Sequence, residues 1–333
     1  MSKIRVGMIG CDLHGLYYGA LMEEHDPLAM RSLGRGQAAF FYFYLHYNDP
    51  TLMTAPRVPG LTIAKVWDPD PEAAEIASRI FGGKPKVCER FEECSDDVDL
   101  VFIPDCNGDG SGHLDLARPG LKKGVPTFVD KPFANTLRET QEMVRLAQRH
   151  DTPVMSLSML RTVPHARHFR DRLQEIAPVG FGSIKGPGGT LAGSIHTISL
   201  AQHVFGSGVE AVDCMGPSEL AYLHLDYGGK PDRPSAGVMC NCHSGPTYHC
   251  SLYVSAFSEQ GAIHSGQIGD FEFPWGAAEV LKLCKRMVRT RQPQAPYEEM
   301  LECIAVAEAG RLAQASGQRV SLQEVLASTS HRP

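Results

Sequence analysis

A lysine directly after a short apolar strand is the residue of this chain that is best placed to act on a bound substrate. Residues 127–129 are β-branched or aromatic, and the sequence continues Asp130-Lys131-Pro132. Open parallel sheets bind ligands at their strand ends, and a proline restricts the local backbone and is compatible with a cis peptide. Lys131 is therefore a candidate for contact with a substrate oxygen, although the same three residues also occur in ordinary turns.

A glycine-containing turn near the N-terminus predicts a dinucleotide-binding loop. The apolar strand 4–9 ends at Gly10, and Gly15 precedes residues compatible with a helix. In the fingerprint G-x-G-x-x-G the middle glycine lets a diphosphate approach the backbone, but Asp12 stands in that position here. We predict cofactor contacts at Gly10, Asp12, Leu13 and Gly15. Because a carboxylate opposes an anionic ligand, a turn of this shape that binds nothing is the alternative.

The second predicted strand, residues 61–67, ends in Asp68, where a carboxylate can accept a hydrogen bond from a ribose. Such a carboxylate repels the 2′-phosphate of NADP, so the predicted cofactor is NAD. An aspartate at this point is also a common entry to a helix, here predicted over 71–82, and both interpretations remain open. Since the usual spacing from the first glycine is about 20 residues, residues 24–60 must contain an insertion.

The insertion holds the densest aromatic run of the chain, residues 38–47. The run is far too short to cross a bilayer as a helix. Aromatic clusters are enriched at interfaces, so a subunit contact or a substrate lid is one interpretation. Packing in the core beneath a long loop is the other.

Strands and helices continue to alternate up to about residue 157. Further strands are predicted over 99–104 and 153–157, and a short helix is predicted to open at His113 and to be interrupted at Pro119. A capping box of Thr136 with Glu139 predicts a helix that ends at His150. Five or six strands that alternate with helices predict a parallel doubly wound sheet, that is, a Rossmann domain.

The second half of the chain has a different pattern. From Gly208 onward, strand candidates follow one another without long helices: 209–214, 220–226, 236–242, 248–257 and 261–268. Two helices follow over 276–291 and 296–316, with Gly317 as a C-terminal cap. We therefore predict an α/β protein with a Rossmann dinucleotide-binding domain at 1–156 and a substrate-binding and oligomerisation domain at 157–333, an α+β domain built on an open, mainly antiparallel sheet.

Over nearly its whole length the chain resembles the glucose-fructose oxidoreductase, inositol dehydrogenase and rhizopine-catabolism (Gfo/Idh/MocA) family. That family has a Glu-Lys-Pro motif whose lysine touches the substrate, and Asp130-Lys131-Pro132 looks like a conservative variant of it. The resemblance also implies a cofactor contact for Asp130 and a substrate contact for Arg161, which follows the sixth strand. The family's aspartate and histidine, four residues apart at the start of a helix, correspond to Ala192 and His196.

The missing carboxylate at Ala192 leaves Lys131 and His196 as the implied acid-base pair. The glycine-rich segment 182–193 is also short where relatives carry a longer stretch, so a relative's substrate is not transferred to this chain. The implied function is an NAD-dependent oxidoreductase acting on a secondary hydroxyl or ketone of a sugar, sugar acid or cyclitol. A keto-sugar lyase or hydratase with the same lysine and histidine, and a non-catalytic sugar- or nucleotide-sensing protein, are the alternatives.

Composition limits the remaining classes. A net charge of −6, ten irregularly spaced cysteines and no apolar signal segment predict a reduced cytoplasmic protein without nucleic-acid or membrane partners. No C-x-x-C pair occurs, so no metal site is predicted for the group Cys240, Cys242, His243, His249 and Cys250. His14 and His203 are expected to cap or pack, and His113 is a possible substrate contact beside the cofactor crevice. One open face of the antiparallel sheet predicts a homodimer or homotetramer.

Overall fold

The computed structural model describes residues 2–44, 52–106, 108–243 and 250–328. The end of the aromatic run (45–47), Asn107 and the start of the predicted strand 248–257, with His249, lie outside these residues. The chain forms two compact units. The N-terminal unit comprises Met1–Asp130, Glu142–Ser156 and Phe273–Tyr297, and the C-terminal unit comprises Lys131–Gln141, Leu157–Glu272 and Glu298–Pro333. Each unit is made of three segments of the chain, so the two units are not separated by a single boundary after residue 156. The predicted boundary concerns domains that fold independently, and it stays a prediction.

The N-terminal unit contains a six-stranded parallel sheet. Its strands are β1 (Ile4–Ile9), β2 (Leu61–Trp67), β3 (Lys86–Val87), β4 (Leu100–Ile103), β5 (Thr127–Val129) and β6 (Val154–Met155). They lie in the order β3-β2-β1-β4-β5-β6, and every pairing is parallel. This is the strand order of Rossmann folds, so the predicted doubly wound sheet is confirmed.

Six helices occur among the described residues of the first 150 positions of the chain. They are α1 (Leu13–Met22), α2 (Pro27–Ser32), α3 (Gly36–Tyr44), α4 (Pro71–Ile80), α5 (His113–Lys122) and α6 (Leu137–Arg149), with a 3-10 turn at Phe91–Ser95. The predicted interruption at Pro119 is wrong, because α5 continues through it. Because proline has no N–H, the carbonyl of Asp115 receives no helical hydrogen bond from residue 119. Asp115 is exposed, so water can satisfy this carbonyl.

The capping box at the start of α6 is confirmed. The Thr136 N–H donates to Glu139 Oε2 over 3.1 Å, and the Glu139 N–H donates to Thr136 Oγ1 over 3.2 Å. Two N–H groups that a helix start leaves without partners are thereby satisfied reciprocally.

The C-terminal unit contains a mixed, mainly antiparallel sheet. Its elements, with the last helices of the chain, are α7 (Pro164–Arg172), β7 (Phe181–Lys185), α8 (Leu191–Phe205), β8 (Ala211–Met215), β9 (Tyr222–Asp226), β10 (Val238–Asn241), β11 (Ser251–Ser258), β12 (Gly261–His264), β13 (Ile268–Gly269), α9 (Phe273–Thr290), α10 (Tyr297–Ser316), β14 (Val320–Ser321) and α11 (Leu322–Ser328). The strand order is β12-β11-β7-β10-β9-β8-β14, with β13 beside β11. Only β7 with β10 pairs in parallel among the described strands of this sheet.

Strand β7 was not predicted, because glycines mask its pattern. Gly182 lies on the covered face of the sheet, where a Cβ would come within 2.6 Å of the Phe205 ring. Glycine at this position therefore lets the last turn of α8 pack closely on the sheet. Ile184, two residues further on the same face, is fully buried.

The two faces of this sheet differ in exposure. One face packs against α8 and is buried through residues such as Val212, Leu223 and Val254. The opposite face carries large apolar side chains in contact with solvent: Met215 is 66% exposed, Met239 37%, Tyr253 43% and Phe257 37%.

Helix α9 belongs to the N-terminal unit although it lies late in the sequence, and it packs against α1 and α3. The Phe43 ring of α3 is fully buried 4.8 Å from the Tyr17 ring, and Tyr42 lies 6.0 Å from Phe273. The described part of the aromatic run thus favours core packing over a lid or a subunit contact. After α10, Gly317 has φ +66° and donates to the Ala313 carbonyl over 2.8 Å, which confirms the predicted cap.

No helix in the described ranges is long and apolar enough to cross a membrane.

Candidate functional site

The turn after β1 depends on its two glycines. Gly10 has φ +118°, which favours glycine, and a Cβ there would come within 2.6 Å of the Pro104 carbonyl oxygen. A Cβ on Gly15 would come within 2.4 Å of the Gly10 carbonyl oxygen. These contacts fold the chain back tightly between β1 and α1, which brings the start of α1 to the carboxyl end of the sheet.

Asp12 caps α1 and links two loops. Its Oδ1 accepts a hydrogen bond from the Gly15 N–H over 3.0 Å, and its Oδ2 accepts one from the Cys106 N–H over 2.6 Å. Leu13 is the first residue of the helix. The carboxylate therefore joins the loop after β1 to the loop after β4, the two strands between which the strand order reverses.

Asp68 lies at the end of β2, as predicted, and is 7% exposed. Its Oδ2 accepts from the Cys11 N–H over 2.6 Å and its Oδ1 accepts from the Asp70 N–H over 2.9 Å. Burial first, and then the charges of Asp68 and Asp12, raise the pKa of the Cys11 thiol, so this thiol stays protonated. Each Asp68 oxygen keeps acceptor capacity for a ribose hydroxyl, because a carboxylate oxygen accepts two hydrogen bonds.

Asp130 is paired with His14, a residue expected only to cap or pack. Nδ1 of His14 lies 2.6 Å from Oδ2 of Asp130, which is 1% exposed, and the same oxygen accepts from the Asp105 N–H over 3.2 Å. Burial would lower the pKa of His14, but the charge and hydrogen bond of Asp130, together with Cys106, raise it to about 10. His14 is therefore an imidazolium at neutral pH.

His113 forms a second pair in the same unit. Its Nε2 lies 3.1 Å from Asp105 Oδ2, and the ring is buried at the start of α5. Burial raises the pKa of Asp105, but the hydrogen bond and charge of His113 and the Gly108 N–H outweigh this effect and lower it. A substrate contact by His113 remains a prediction.

Lys131 follows β5 directly and is only 4% exposed. The Lys131-Pro132 peptide is cis. Lysine is almost never fully buried unless its side chain is paired.

His196 lies in the first half of α8 and is 8% exposed. Its Nδ1 is 2.7 Å from the Oγ of Ser158, and this oxygen also accepts from the Leu160 N–H over 3.2 Å. The Ser158 hydroxyl therefore orients the imidazole ring of His196. Sequence reasoning missed Ser158. Its only signal was a serine just after the sixth strand, three residues before Arg161.

Arg161 is held by two helices of the C-terminal unit. Its Nη1 donates to Gln202 Oε1 over 3.0 Å, and its Nη2 donates to Glu299 Oε2 over 2.5 Å. Ala192, which stands in place of the family's aspartate, is 9% exposed, one turn before His196 on α8. The structure thus places Gly10, Asp12, Leu13, Gly15, Asp68 and Asp130 in the N-terminal unit and Lys131, Arg161 and His196 in the C-terminal unit.

No group of three or more His, Cys, Asp or Glu side chains within the described ranges could hold a metal ion. Cys240 and Cys242 are fully buried, Cys240 within β10 and Cys242 just after its end.

The parallel strand order, the glycine turn and the carboxylate after β2 define a dinucleotide-binding oxidoreductase class of protein. Residues 4–157 match the family model described as "Oxidoreductase family, NAD-binding Rossmann fold" (GFO_IDH_MocA). Residues 4–157 therefore carry the NAD-binding Rossmann domain of the Gfo/Idh/MocA oxidoreductase family.

Solved structures with the same fold show how divergent the sequence is. Myo-inositol 2-dehydrogenase from Lactobacillus plantarum is 12% identical with a TM-score of 0.75, over 96% of this chain and 99% of that one. An Agrobacterium radiobacter oxidoreductase in complex with NAD+, L-tartaric acid and magnesium is 15% identical with a TM-score of 0.71, over 97% and 99%. Scyllo-inositol dehydrogenase from Lactobacillus casei, with NAD(H) and scyllo-inositol, is 14% identical with a TM-score of 0.71, over 97% and 100%. A sequence search of curated proteins finds no match.

NAD fits most of this site. Asp68 offers acceptors to the adenosine ribose, and the tight glycine turn brings the N-terminus of α1, whose positive dipole end favours anions, to the crevice. Among the described residues, no acceptor contacts the N–H groups of Leu13 and His14, the first two of the helix. Asp12 alone departs from the pattern.

Proposed function

We propose that the protein transfers a hydride between NAD and a carbon that bears a secondary hydroxyl or ketone in a sugar, sugar acid or cyclitol. The observation that carries this proposal is the nearly buried Lys131 directly after β5, in a unit that also holds the buried His196 against Ser158. A lysine and an oriented histidine are the groups that polarise a carbonyl and exchange the proton of an alcohol.

The proposed roles divide the reaction between these side chains. During oxidation, Lys131 stabilises the negative charge that develops on the substrate oxygen, and Nε2 of His196 takes the proton that this oxygen releases. During reduction the same groups act in reverse. NAD, when bound, accepts or supplies the hydride. Ser158 positions the imidazole and touches neither substrate nor cofactor in this scheme.

The substrate class is supported by what the structural relatives bind. The scyllo-inositol and L-tartaric acid present in two of these structures are polyhydroxylated molecules with secondary hydroxyls. A residue that hydrogen-bonds such hydroxyls gives strong discrimination, because an analogue without the hydroxyl leaves it unpaired. Arg161 and His113 are the proposed substrate contacts of this chain.

A lyase or hydratase reaction is the second candidate, and two departures favour it. Ala192 removes a carboxylate from the acid-base group, and Asp12 places a negative charge at the loop that would hold the diphosphate. In that reaction Lys131 would polarise a carbonyl and His196 would remove the proton of the neighbouring carbon. The hydroxyl of the following carbon would then leave as water with that proton, without net redox change.

One set of measurements tests the proposal and separates the two candidates. Purified protein is titrated with NADH, followed by fluorescence, and then screened with NAD and a panel of sugars, sugar acids and cyclitols at 340 nm. We expect stoichiometric NADH binding and a rise in absorbance with at least one polyol. Elimination products formed without any change at 340 nm would replace the dehydrogenase by the lyase.

We also propose that a second copy of the chain covers the exposed sheet face with Met215, Met239, Tyr253 and Phe257. A large apolar patch that is exposed on a monomer marks an interaction site, and a symmetric second copy can cover it. Light scattering should give a multiple of the 36.4 kDa monomer mass. Met239→Glu should dissociate the assembly, whereas Leu312→Glu, at an exposed leucine of α10, should not.

A further inference from the structure

Asp12 occupies hydrogen-bond donors that line the cofactor crevice. Its two carboxylate oxygens accept from the N–H groups of Gly15 and Cys106, over 3.0 and 2.6 Å. Gly15 lies in the first turn of α1, and Cys106 lies in the loop after β4. Because β1 and β4 are the adjacent strands at which the strand order reverses, this carboxylate sits in the crevice that binds ligands in open α/β sheets.

A diphosphate bound in this crevice needs the same N–H donors that Asp12 already occupies. Anions bind at helix N-termini because the first N–H groups have no partner within the helix. A glycine in the middle of the fingerprint leaves these donors open, whereas Asp12 supplies the chain's own anion. The charge of His14 does not cancel that of Asp12, since His14 is paired with the buried Asp130.

We propose that Asp12 is an internal competitor for the cofactor's diphosphate. With no cofactor bound, its carboxylate ties the loop after β1 to the loop after β4. Binding of the diphosphate requires this carboxylate to release the Gly15 and Cys106 N–H groups. Asp12 therefore sets the affinity for ligands that carry a diphosphate and leaves the affinity for the adenosine part unchanged. This inference rests on the proposed function, because it concerns the same cofactor.

The test is a calorimetric titration of the full chain with NADH, ADP-ribose and adenosine. For Asp12→Gly we expect NADH and ADP-ribose to bind at least tenfold more tightly than to the wild type, and adenosine to bind within a factor of two. Glycine is also an accepted N-cap residue, so α1 should persist. Asp12→Asn keeps a carbonyl acceptor for one N–H but loses the charge, and we expect an intermediate gain.

Asp26→Asn is the matched control. Asp26 caps α2 by accepting from the N–H groups of Leu28 and Ala29, over 2.8 and 3.2 Å, in the same unit but away from the glycine turn. Its substitution should leave the affinities for all three ligands unchanged. Thermal melts of every variant show whether a change in affinity accompanies a loss of folded protein.

The outcomes separate this inference from the proposed function. Wild-type protein that binds NADH as tightly as Asp12→Gly and Asp12→Asn overturns the inference and leaves the NAD-dependent function standing. An equal gain for adenosine also overturns it, because the effect would then not concern the diphosphate. Binding of NADH by Asp12→Gly alone supports it. Folded variants that all fail to bind NADH and ADP-ribose overturn both the inference and the assigned cofactor.

Discussion

The two units of this chain give their candidate histidines different partners. In the N-terminal unit, Asp12, Asp68, Asp105 and Asp130 all accept hydrogen bonds from backbone N–H groups or imidazoles of the same unit. In the C-terminal unit, the histidine proposed for catalysis contacts a neutral serine, and Ala192 stands where relatives carry a carboxylate.

This difference shows how partner chemistry decides what a histidine can do. Asp130 holds His14 in its charged form, so His14 cannot accept a proton at neutral pH. A serine hydroxyl adds no charge, so Ser158 orients the His196 ring without supplying a counter-charge of its own. The candidate histidine of the N-terminal unit therefore has a charged partner, and that of the C-terminal unit has a neutral one.

The largest effect is expected for Lys131→Met, which tests the residues of the C-terminal unit that are proposed for catalysis. Methionine keeps much of the side-chain volume but removes the ammonium that stabilises charge on the substrate oxygen. Turnover of the substrate found by screening should fall by about 10² to 10⁴. The affinity for NADH, measured by fluorescence, should stay nearly unchanged. His196→Ala should act in the same direction but less completely.

Lys282→Met is the control for this variant, because Lys282 is an exposed lysine of α9 and does not lie on the sheet face with Met239 and Tyr253. Wild-type turnover by Lys131→Met would remove Lys131 from the mechanism.

The next largest effect is expected for His14→Gln, which tests the fixed charges of the N-terminal unit. The variant removes the imidazolium that pairs with the buried Asp130 carboxylate, and breaking a buried pair costs about 3 kcal/mol of unfolding free energy. Because the pKa of His14 is raised to about 10 when folded, its stabilisation is fully present below pH 6.5 and is lost as the pH rises through 10. Urea unfolding at pH 6 and pH 9 should show a larger difference from the wild type at pH 6.

His224→Gln removes a pair that is only half-buried, in which His224 Nδ1 lies 3.4 Å from Asp213. A pair that water reaches contributes less than about 1 kcal/mol, so this control should change little. The same stability difference for His14→Gln at both pH values would contradict the charged assignment.

Ser158→Ala should have a smaller effect, because Ser158 orients the base and does not touch the substrate in the proposed scheme. We expect kcat to fall by about tenfold, which is less than the roughly 10² to 10⁴ that acid-base catalysis itself contributes, with little change in KM. Ser158→Thr keeps the hydroxyl and should retain most of the activity. A loss of stability without a change in kcat would make Ser158 a purely structural residue.

Ala192→Asp, added to Ser158→Ala, sharpens this test. Residues 192 and 196 are four apart on α8 and so share a face of the helix. A carboxylate there favours the imidazolium, so part of the activity should return and the pH–rate profile should move to higher pH. An unshifted profile would show that residue 192 does not act through His196.

The smallest effect is expected for the choice between NADH and NADPH. Asp68 repels a 2′-phosphate, so the wild type should bind NADH at least tenfold more tightly than NADPH, by analogy with acidic residues at this position. Asp68→Asn should reduce this ratio several-fold. Asp70→Asn, the cap of α4, should leave the ratio unchanged. Tighter binding of NADPH by the wild type would contradict the role of Asp68.

Sequence alone predicted the strands that position the site. The bounds of β1 and β2 match the predictions residue for residue, because buried parallel strands are continuous apolar runs bounded by turn residues. Strand β7 was not predicted, because Gly182 replaces an apolar side chain where α8 approaches the sheet. The contact of Ser158 with His196 and the His14–Asp130 pair were not predicted for another reason. Their partners lie 38 and 116 residues away in sequence, and no local pattern records such a contact.

The late position of α9 affects how the protein folds during synthesis. The aromatic side of α1 and α3 is covered by α9, which begins at Phe273. A ribosome that has finished residue 156 must still add about 117 residues before this cover starts to emerge, which takes roughly 6 to 23 s at about 5–20 residues per second. During that interval helix α1, which follows the glycine turn, lacks its contacts with α9. We therefore expect a fragment that stops at residue 156 to depend on chaperones and the full-length chain to mature only near the end of translation.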